Sequence, residues 1–227
     1  MIILGIDTSS DCLNIALGKD GGLISEVSLN IPRKHIANII RVLDNVFEKS
    51  GLAINDIGLF VVVKGPGSFT GIRIAVTVVK GFAAALEKDV VSVTSLDVLA
   101  QNAFNTEGKY IYPVLDAVRG NVYSACYLKE KGKITKKSDY MIINIKEFLN
   151  TVKLPAVFLG EGLKIYQQDI RSMFKADEFV VLDEFDWAIK CENIIKLGYE
   201  KFCSLGSENI EKLAPLYLYP KECTVRK

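Results

Sequence analysis

The stretch GPGSFTGIRI, residues 65–74, lies between two apolar segments, and its reading decides how they fold. Upstream, residues 59–63 read LFVVV, a short β-branched run that predicts a buried strand. Downstream, residues 70–86 form one long apolar segment that predicts a helix. Gly65 and Gly67 permit backbone angles that a β-carbon forbids, and Pro66 stiffens the entry. Ser68 or Thr70 can cap the helix with a side-chain oxygen, and Gly71 lets another backbone come close. Two readings compete. One is a purely structural turn; the other is an anion cradle, because a helix N-terminus presents free N–H groups and a positive dipole end. No Gly-Lys-Ser/Thr follows, so the loop is not a Walker A motif.

Working outward, residues 2–6, 12–17 and 23–29 predict three strands joined by polar turns, as in a meander. Residues 34–49 predict an amphipathic helix with Ile36, Ile39, Ile40, Leu43 and Phe47 on one face and Gly51 past its end. After the strand at 59–63 and the helix at 70–86 come a strand at 90–93 and a helix at 95–105, capped by Thr94 or Ser95. The second half repeats this order. Strands are predicted at 110–115, 121–128 and 134–142, then a helix at 145–149, a strand at 156–159, a helix at 163–174 and a strand at 179–182. Trp187, Ala188, Cys191, Ile194, Ile195, Gly198 and Phe202 mark one face of a final helix. A βββαβα order occurring twice predicts an α/β chain of two similar lobes, residues 1–107 and 108–227. The terminal helix is assigned to the second lobe, with packing back onto the first left open.

Composition narrows the function. Hydrophobic residues make up 49% and charged residues 24% of 227, which suits a substantial core. A net charge of +1 gives no global attraction to nucleic acid or anionic membrane. The apolar start is too short for a signal peptide, and the best candidate for a membrane helix, residues 72–86, is interrupted by Arg73 and Lys80. The five cysteines (Cys12, Cys126, Cys191, Cys203, Cys223) form no CxxC pair, so neither a zinc ribbon nor a disulfide framework is indicated. Buried thiols in a cytoplasmic protein are expected.

Two features bear on chemistry. Ile72, Ile74, Ala75, Val76, Val78, Val79, Phe82 and Ala83 cover most of the circumference of the 70–86 helix, which must then be enclosed on more than one side. A helix of the same chain and a second protein both satisfy that need. The turn Asp7-Thr8-Ser9-Ser10 offers a carboxylate and three hydroxyls, which fit either a magnesium-bound phosphate or an Asx turn. His35 is the only histidine, beside Pro32, Arg33 and Lys34, and reads as a solvated or capping group. An HExxH protease site is thereby excluded. Lys129, Lys131, Lys133, Lys136 and Lys137 form a local basic run, read as a solvated hairpin or a phosphate contact. Gly160-Glu161-Gly162 reads as a strand-ending turn.

Taken together, ILGIDTSS at residues 3–10, GPGSFTGIRI and the doubled element order closely resemble the bacterial TsaB (YeaZ) family. That family lies in the superfamily of sugar kinases, heat-shock proteins and actin. DAVRGNVYSA at 116–125 and APLYLY at 214–219 extend the resemblance into the second half. Departures lie there too: Val118 stands where the family usually has arginine, with Arg119 one residue later, Asn121 where glutamate is common, and Tyr219 where arginine is frequent. The resemblance implies a two-lobed actin-like, ribonuclease H-like fold. It also implies a part in making threonylcarbamoyladenosine, the base beside the anticodon of tRNAs that read codons beginning with A. In that pathway a catalytic relative, TsaD, performs the transfer and binds its metal through a His-x-x-x-His pair, which a chain with one histidine cannot build.

The resemblance implies pairing with TsaD through the first lobe, by helices 34–49 and 70–86. Ile36, Ile39, Ile40, Leu43, Ile72, Ile74, Val78 and Val79 are the expected contact residues. It further implies a TsaE ATPase that binds the pair, a homodimer in the absence of TsaD, and tRNA met through the complex. ATP and metal are expected in the partner, leaving this subunit without cofactor or catalytic residues. Asp7, Thr8, Ser9 and Ser10 remain weak nucleotide-site candidates, and Gly65, Gly67, Ser68, Thr70 and Gly71 form the structural loop. The rival reading is a small-molecule kinase or ATPase of the same superfamily, with Asp7 as the magnesium-linked acid.

Overall fold

The computed structural model describes residues 1–30 and 39–218. The chain divides into two compact units, Met1–Val98 with Ile189–Leu216, and Leu99–Ala188 with Tyr217–Lys227. The first opens with β1 (Ile2–Asp7), β2 (Cys12–Lys19) and β3 (Gly22–Asn30), then α1, described over Ile39–Ser50. Next come β4 (Ile57–Val63), α2 (Phe69–Ala85), β5 (Asp89–Val93) and α3 (Ser95–Ala100). The five strands lie in the order β3-β2-β1-β4-β5, antiparallel across β3, β2 and β1, parallel across β1, β4 and β5.

β4 is IGLFVVV, buried at every position but Gly58, as a central strand covered on both faces must be. Alternation sends Phe60 and Val62 to the side of α1 and α2, and Leu59, Val61 and Val63 to the other. That other face is covered by α6 (Cys191–Leu205), so the first unit is discontinuous in sequence. Small residues let α6 come close: a β-carbon on Gly198 would lie 2.4 Å from a methyl of Val61, and one on Gly5 would lie 2.8 Å from Ile194. The final turn of the predicted 95–105 helix is a 3-10 segment, Gln101–Ala103, and Thr94 Oγ1 is the cap, accepting from Asp97 N at 3.1 Å.

Beyond α6 the chain runs as a strap along the outer side of β5. Glu208 N donates to Val90 O (2.8 Å), Val90 N to Ser207 Oγ (3.0 Å), and Ser92 N to Glu208 Oε1 (2.8 Å). Burial pushes the Glu208 carboxyl up, but Lys201 at 2.6 Å and the two Ser92 donors outweigh it and hold it below the usual range. Leu213 is buried in the core between sheet and α2, and Lys80 Nζ donates to the carbonyls of Glu211 and Leu213.

The second unit repeats the sheet. Its strands are β6 (Tyr110–Pro113), β7 (Leu115–Asp116), β8 (Asn121–Ser124), β9 (Tyr127–Glu130), β10 (Lys133–Lys136), β11 (Met141–Asn144), β12 (Ala156–Leu159) and β13 (Phe179–Val181). Its helices are α4 (Ile145–Thr151) and α5 (Leu163–Met173). The order β10-β9-β6-β12-β13 matches that of the first sheet in sequence and sense.

The three long strands predicted at 110–115, 121–128 and 134–142 are each broken in two, and β11-β8-β7 form a separate small sheet. At the first break Val114 N donates to Leu159 O and Val114 O accepts from Gly162 N. At the second, Cys126 N donates to Ser138 Oγ (2.9 Å) and Cys126 O accepts from Lys137 N (2.7 Å). The final helix starts at Cys191, not at the predicted Trp187, which closes a 3-10 turn with its indole N–H on Leu182 O (2.7 Å).

Candidate functional site

The loop at 65–71 is bound down onto the β1–β2 turn. Ser68 N donates to Ser9 O at 2.7 Å, and Thr8 Oγ1 donates to Gly71 O at 2.6 Å. Ser68 is the cap of α2, its hydroxyl accepting from Gly71 N at 3.3 Å, while Thr70 is exposed inside the helix. The glycines are needed for clearance. A β-carbon on Gly67 would lie 2.1 Å from Ser9 O, and one on Gly71 1.9 Å from Thr8 O. On its other side the loop is tied to α3, with Ser95 N donating to Gly65 O and Ser95 Oγ to Pro66 O.

Asp7 is fully buried at the end of β1. One carboxylate oxygen accepts from Ser9 N at 2.8 Å and the other from Asn14 Nδ2 at 2.9 Å. Burial raises its pKa, outweighing the hydrogen bonds from Ser9 and Asn14 that favour the charged form. Thr8 and Ser9 are buried and Ser10 is partly exposed, accepting from Cys12 N at 3.2 Å. Four backbone N–H groups around the turn are engaged within the fold: Ser9 N by Asp7, Ser68 N by Ser9 O, and Gly71 N and Ile72 N by Ser68.

Asp7→Ala should therefore cost about 1–3 kcal/mol in denaturant unfolding, because Ser9 N–H and the Asn14 amide lose a buried acceptor. The sign with pH follows from the raised pKa. The native chain keeps this proton longer than the unfolded one, so Asp7's own contribution to stability is full below 3.8 and is lost as pH rises through the folded value. Asp7→Asn should remove that decline.

The predicted helical contact residues separate into three groups. Ile39, Leu43, Ile72 and Val79 lie in the first unit's own core, none more than 3% exposed. Ile74 and Val78 are half-buried against it, and Ile40 is 47% exposed. Ile36 and the predicted helix start at 34–38 fall outside the described residues, as do His35, Tyr219 and Cys223. Sequence reading, which ranked positions by apolarity, selected the residues that face the sheet.

It did not single out the outer side of α2, where Phe69, Arg73, Thr77, Gly81, Ala84 and Ala85 are all exposed. Thr77, Gly81 and Ala85 recur every four residues and so align along the helix. Nothing lies within 4 Å of where a Gly81 β-carbon would be. Lys80 is held away by the strap, and the Arg73 guanidinium stacks 4.1 Å over the Phe69 ring. This is a smooth stripe of small side chains on which a second helix can approach closely. The readable signal was the i, i+4 spacing of small residues on a helix with two charges in seventeen positions.

In the second unit, Gly160-Glu161-Gly162 packs on the β6–β7 junction much as Gly67 and Gly71 pack on the first turn. Gly162 N donates to Val114 O (3.0 Å), and its β-carbon would meet that oxygen at 2.9 Å. Asp116 accepts from Val118 N and from the Tyr166 hydroxyl, and Val118 and Arg119 both have left-handed φ, 57° and 55°. The basic run is largely occupied. Lys129 is buried with its ammonium 3.8 Å over Phe104, Lys137 pairs with Glu130 at 3.3 Å, and Lys136 lies 3.5 Å over Tyr140. Burial pushes the Cys191 thiol up to about 12. Among the described residues no three His, Cys, Asp or Glu side chains converge as metal ligands, and no helix is long and apolar enough to cross a membrane.

Residues 19–203 match the family described as TsaD: tRNA N6-adenosine threonylcarbamoyltransferase. The chain is 33% identical over 223 residues to the tRNA threonylcarbamoyladenosine biosynthesis protein TsaB of Escherichia coli, covering 96% of this chain and 94% of that one. It is 32% identical over 183 residues to the TsaB of Bacillus subtilis, covering 79% and 80%. The solved structure of YeaZ from Pseudomonas aeruginosa superposes with a TM-score of 0.79 at 24% identity, over 96% of this chain and 99% of that one. With the matching sheets of the two units, this establishes the expected doubled actin-like, ribonuclease H-like fold.

Proposed function

Because the chain belongs to the TsaB family of tRNA threonylcarbamoyladenosine biosynthesis proteins, within the wider TsaD family, we propose that it is a non-catalytic subunit for threonylcarbamoyl transfer to tRNA. It acts by holding a TsaD-like transferase through the outer side of α2. The observation that carries this reading is the exposed, nearly uncharged stripe of Thr77, Gly81, Ala84 and Ala85, flanked by half-buried Ile74 and Val78. Such a surface loses little by desolvation when a partner helix covers it.

Several observations favour support over chemistry. The sequence has one histidine, so a His-x-x-x-His metal pair has no place in it. Asp7 has both oxygens committed inside the fold, which speaks against the kinase or ATPase reading and for the turn as scaffold. ATP and metal then belong to the transferase, a TsaE-like ATPase joins the assembled pair, and tRNA is met through the complex. Loss and rescue test this: removing the protein should abolish threonylcarbamoyladenosine, read by mass spectrometry of digested tRNA. An Asp7→Asn copy should restore it fully. A copy that folds but restores nothing would make Asp7 a working residue and overturn the scaffold reading.

A further inference from the structure

Residues 127–140 carry five lysines against Glu130 and Asp139, and the fold gathers them on one edge of a sheet. Lys133 pairs opposite Glu130 and Lys136 opposite Tyr127, so Lys131 and Gly132 alone make the turn, both left-handed at φ 53° and 73°. β10 is the outermost strand. Lys133 and Lys136, three residues apart, stand on opposite faces of it, and Lys131 sits at its tip; all three are exposed. Their charge is retained. Glu107 lies 4.0 Å from the buried Lys129, and Glu130 pairs with Lys137 at 3.3 Å. Lys136 rests on the Tyr140 ring, which neutralises nothing, and among the described residues Lys131 and Lys133 form no ion pair. The far edge of the same sheet has the opposite sign. Residues 177–186, around β13, hold Asp177, Glu178, Asp183, Glu184 and Asp186 with no lysine or arginine. The order β10-β9-β6-β12-β13 puts the two edges about 19 Å apart, more than twice the roughly 8 Å over which physiological salt screens.

We propose that the β10 edge contacts the phosphate backbone of RNA through Lys131, Lys133 and Lys136. The choice of RNA as the polyanion rests on the supporting-subunit reading, in which this chain stands beside a tRNA once the pair assembles. Lysines on both faces of one strand edge, with a third at its tip, can follow a run of phosphates. They do so without reading bases, because an ammonium is a point charge with no bidentate geometry. The acidic edge repels the same polyanion, so the second unit can lie against RNA in one sense only. Three cations give a weak, salt-sensitive contact that adds to binding by the transferase.

The full chain, isotope-labelled and titrated with tRNA at low salt, should show amide shifts in NMR spectra over residues 129–137 and none over 177–186. Its affinity should fall roughly twenty- to fortyfold for a fourfold rise in salt, the dependence of three neutralised phosphates. The triple variant Lys131→Gln, Lys133→Gln, Lys136→Gln should lose those shifts. In the assembled pair with the transferase, it should lower the slope of log affinity against log salt by about 2–3. All three lysines are exposed, so the fold should persist, checked by circular dichroism. The labelled chain needs no transferase, so the two readings fail separately. Hairpin shifts in a chain that never pairs would uphold this contact and remove the docking through α2. Pairing with no hairpin shifts would do the reverse. Shifts centred elsewhere, binding to phosphatidylglycerol vesicles but not to tRNA, or an unchanged salt slope in the triple variant would each overturn the assignment.

Discussion

Gly71→Ala is expected to cost the protein at least about 3 kcal/mol, the upper range for forcing an extra methyl into a packed site. A β-carbon there would sit 1.9 Å from the carbonyl oxygen of Thr8, which is backbone and has nowhere to move. Thr8 is pinned to Gly71 by its own hydroxyl, Ser9 is pinned to Ser68, and the preceding β1 is fixed between β2 and β4. Either α2 shifts off the sheet, taking Ile72, Ala75, Val76 and Val79 out of the core, or the turn unravels. A domain with about 5–15 kcal/mol of total stability has little margin for that. The matched control is in the same helix. Gly81 has open space around its β-carbon position, so Gly81→Ala should stabilise by about 0.5–1 kcal/mol through helix propensity alone. Urea denaturation of the two variants reads opposite signs.

That contrast also shows what the sequence could tell. The glycine-rich turn, its serine cap and the close approach at Gly71 were all readable, because each follows from local backbone sterics. The doubled element order was readable from hydrophobic period. The breaks inside the second unit's strands were not, because Ala125 and Cys126 are buried and continue the apolar run. What diverts the chain there is a bond from Cys126 N to Ser138, twelve residues away.

A sign that α6 covers the first sheet was present but unused. Strands as apolar as β1 and β4 need cover on both faces, whereas α1 and α2 pack on one. The expected contact residues divide between core and surface for a related reason. Apolarity marks what a helix buries at home, and α2 buries Ile72 and Val79 against its own sheet. The outer side of the same helix is set apart instead by small side chains and few charges.

Gly81→Glu is expected to abolish pairing with a TsaD-like transferase while leaving the fold intact. The substitution removes a helix-interior glycine, so stability should hold or rise slightly. In a helix–helix contact built on small residues, however, a carboxylate both props the helices apart and loses its water without a cation to meet it. One uncompensated charge in such a contact costs several kcal/mol, which takes a micromolar complex out of the measurable range. Val78→Glu is a poorer probe because Val78 also packs on the core. If Gly81→Glu pairs normally, the docking surface lies elsewhere on the chain.

The most direct measurement is reconstitution with purified components: transferase, threonylcarbamoyl donor and tRNA, with this chain added, omitted or replaced by Gly81→Glu. Modified adenosine should form at full rate only when transferase and the unaltered chain are both present, and the chain without transferase should form none. Turnover by the chain alone, or undiminished turnover with Gly81→Glu, would contradict a supporting subunit that works through the outer side of α2.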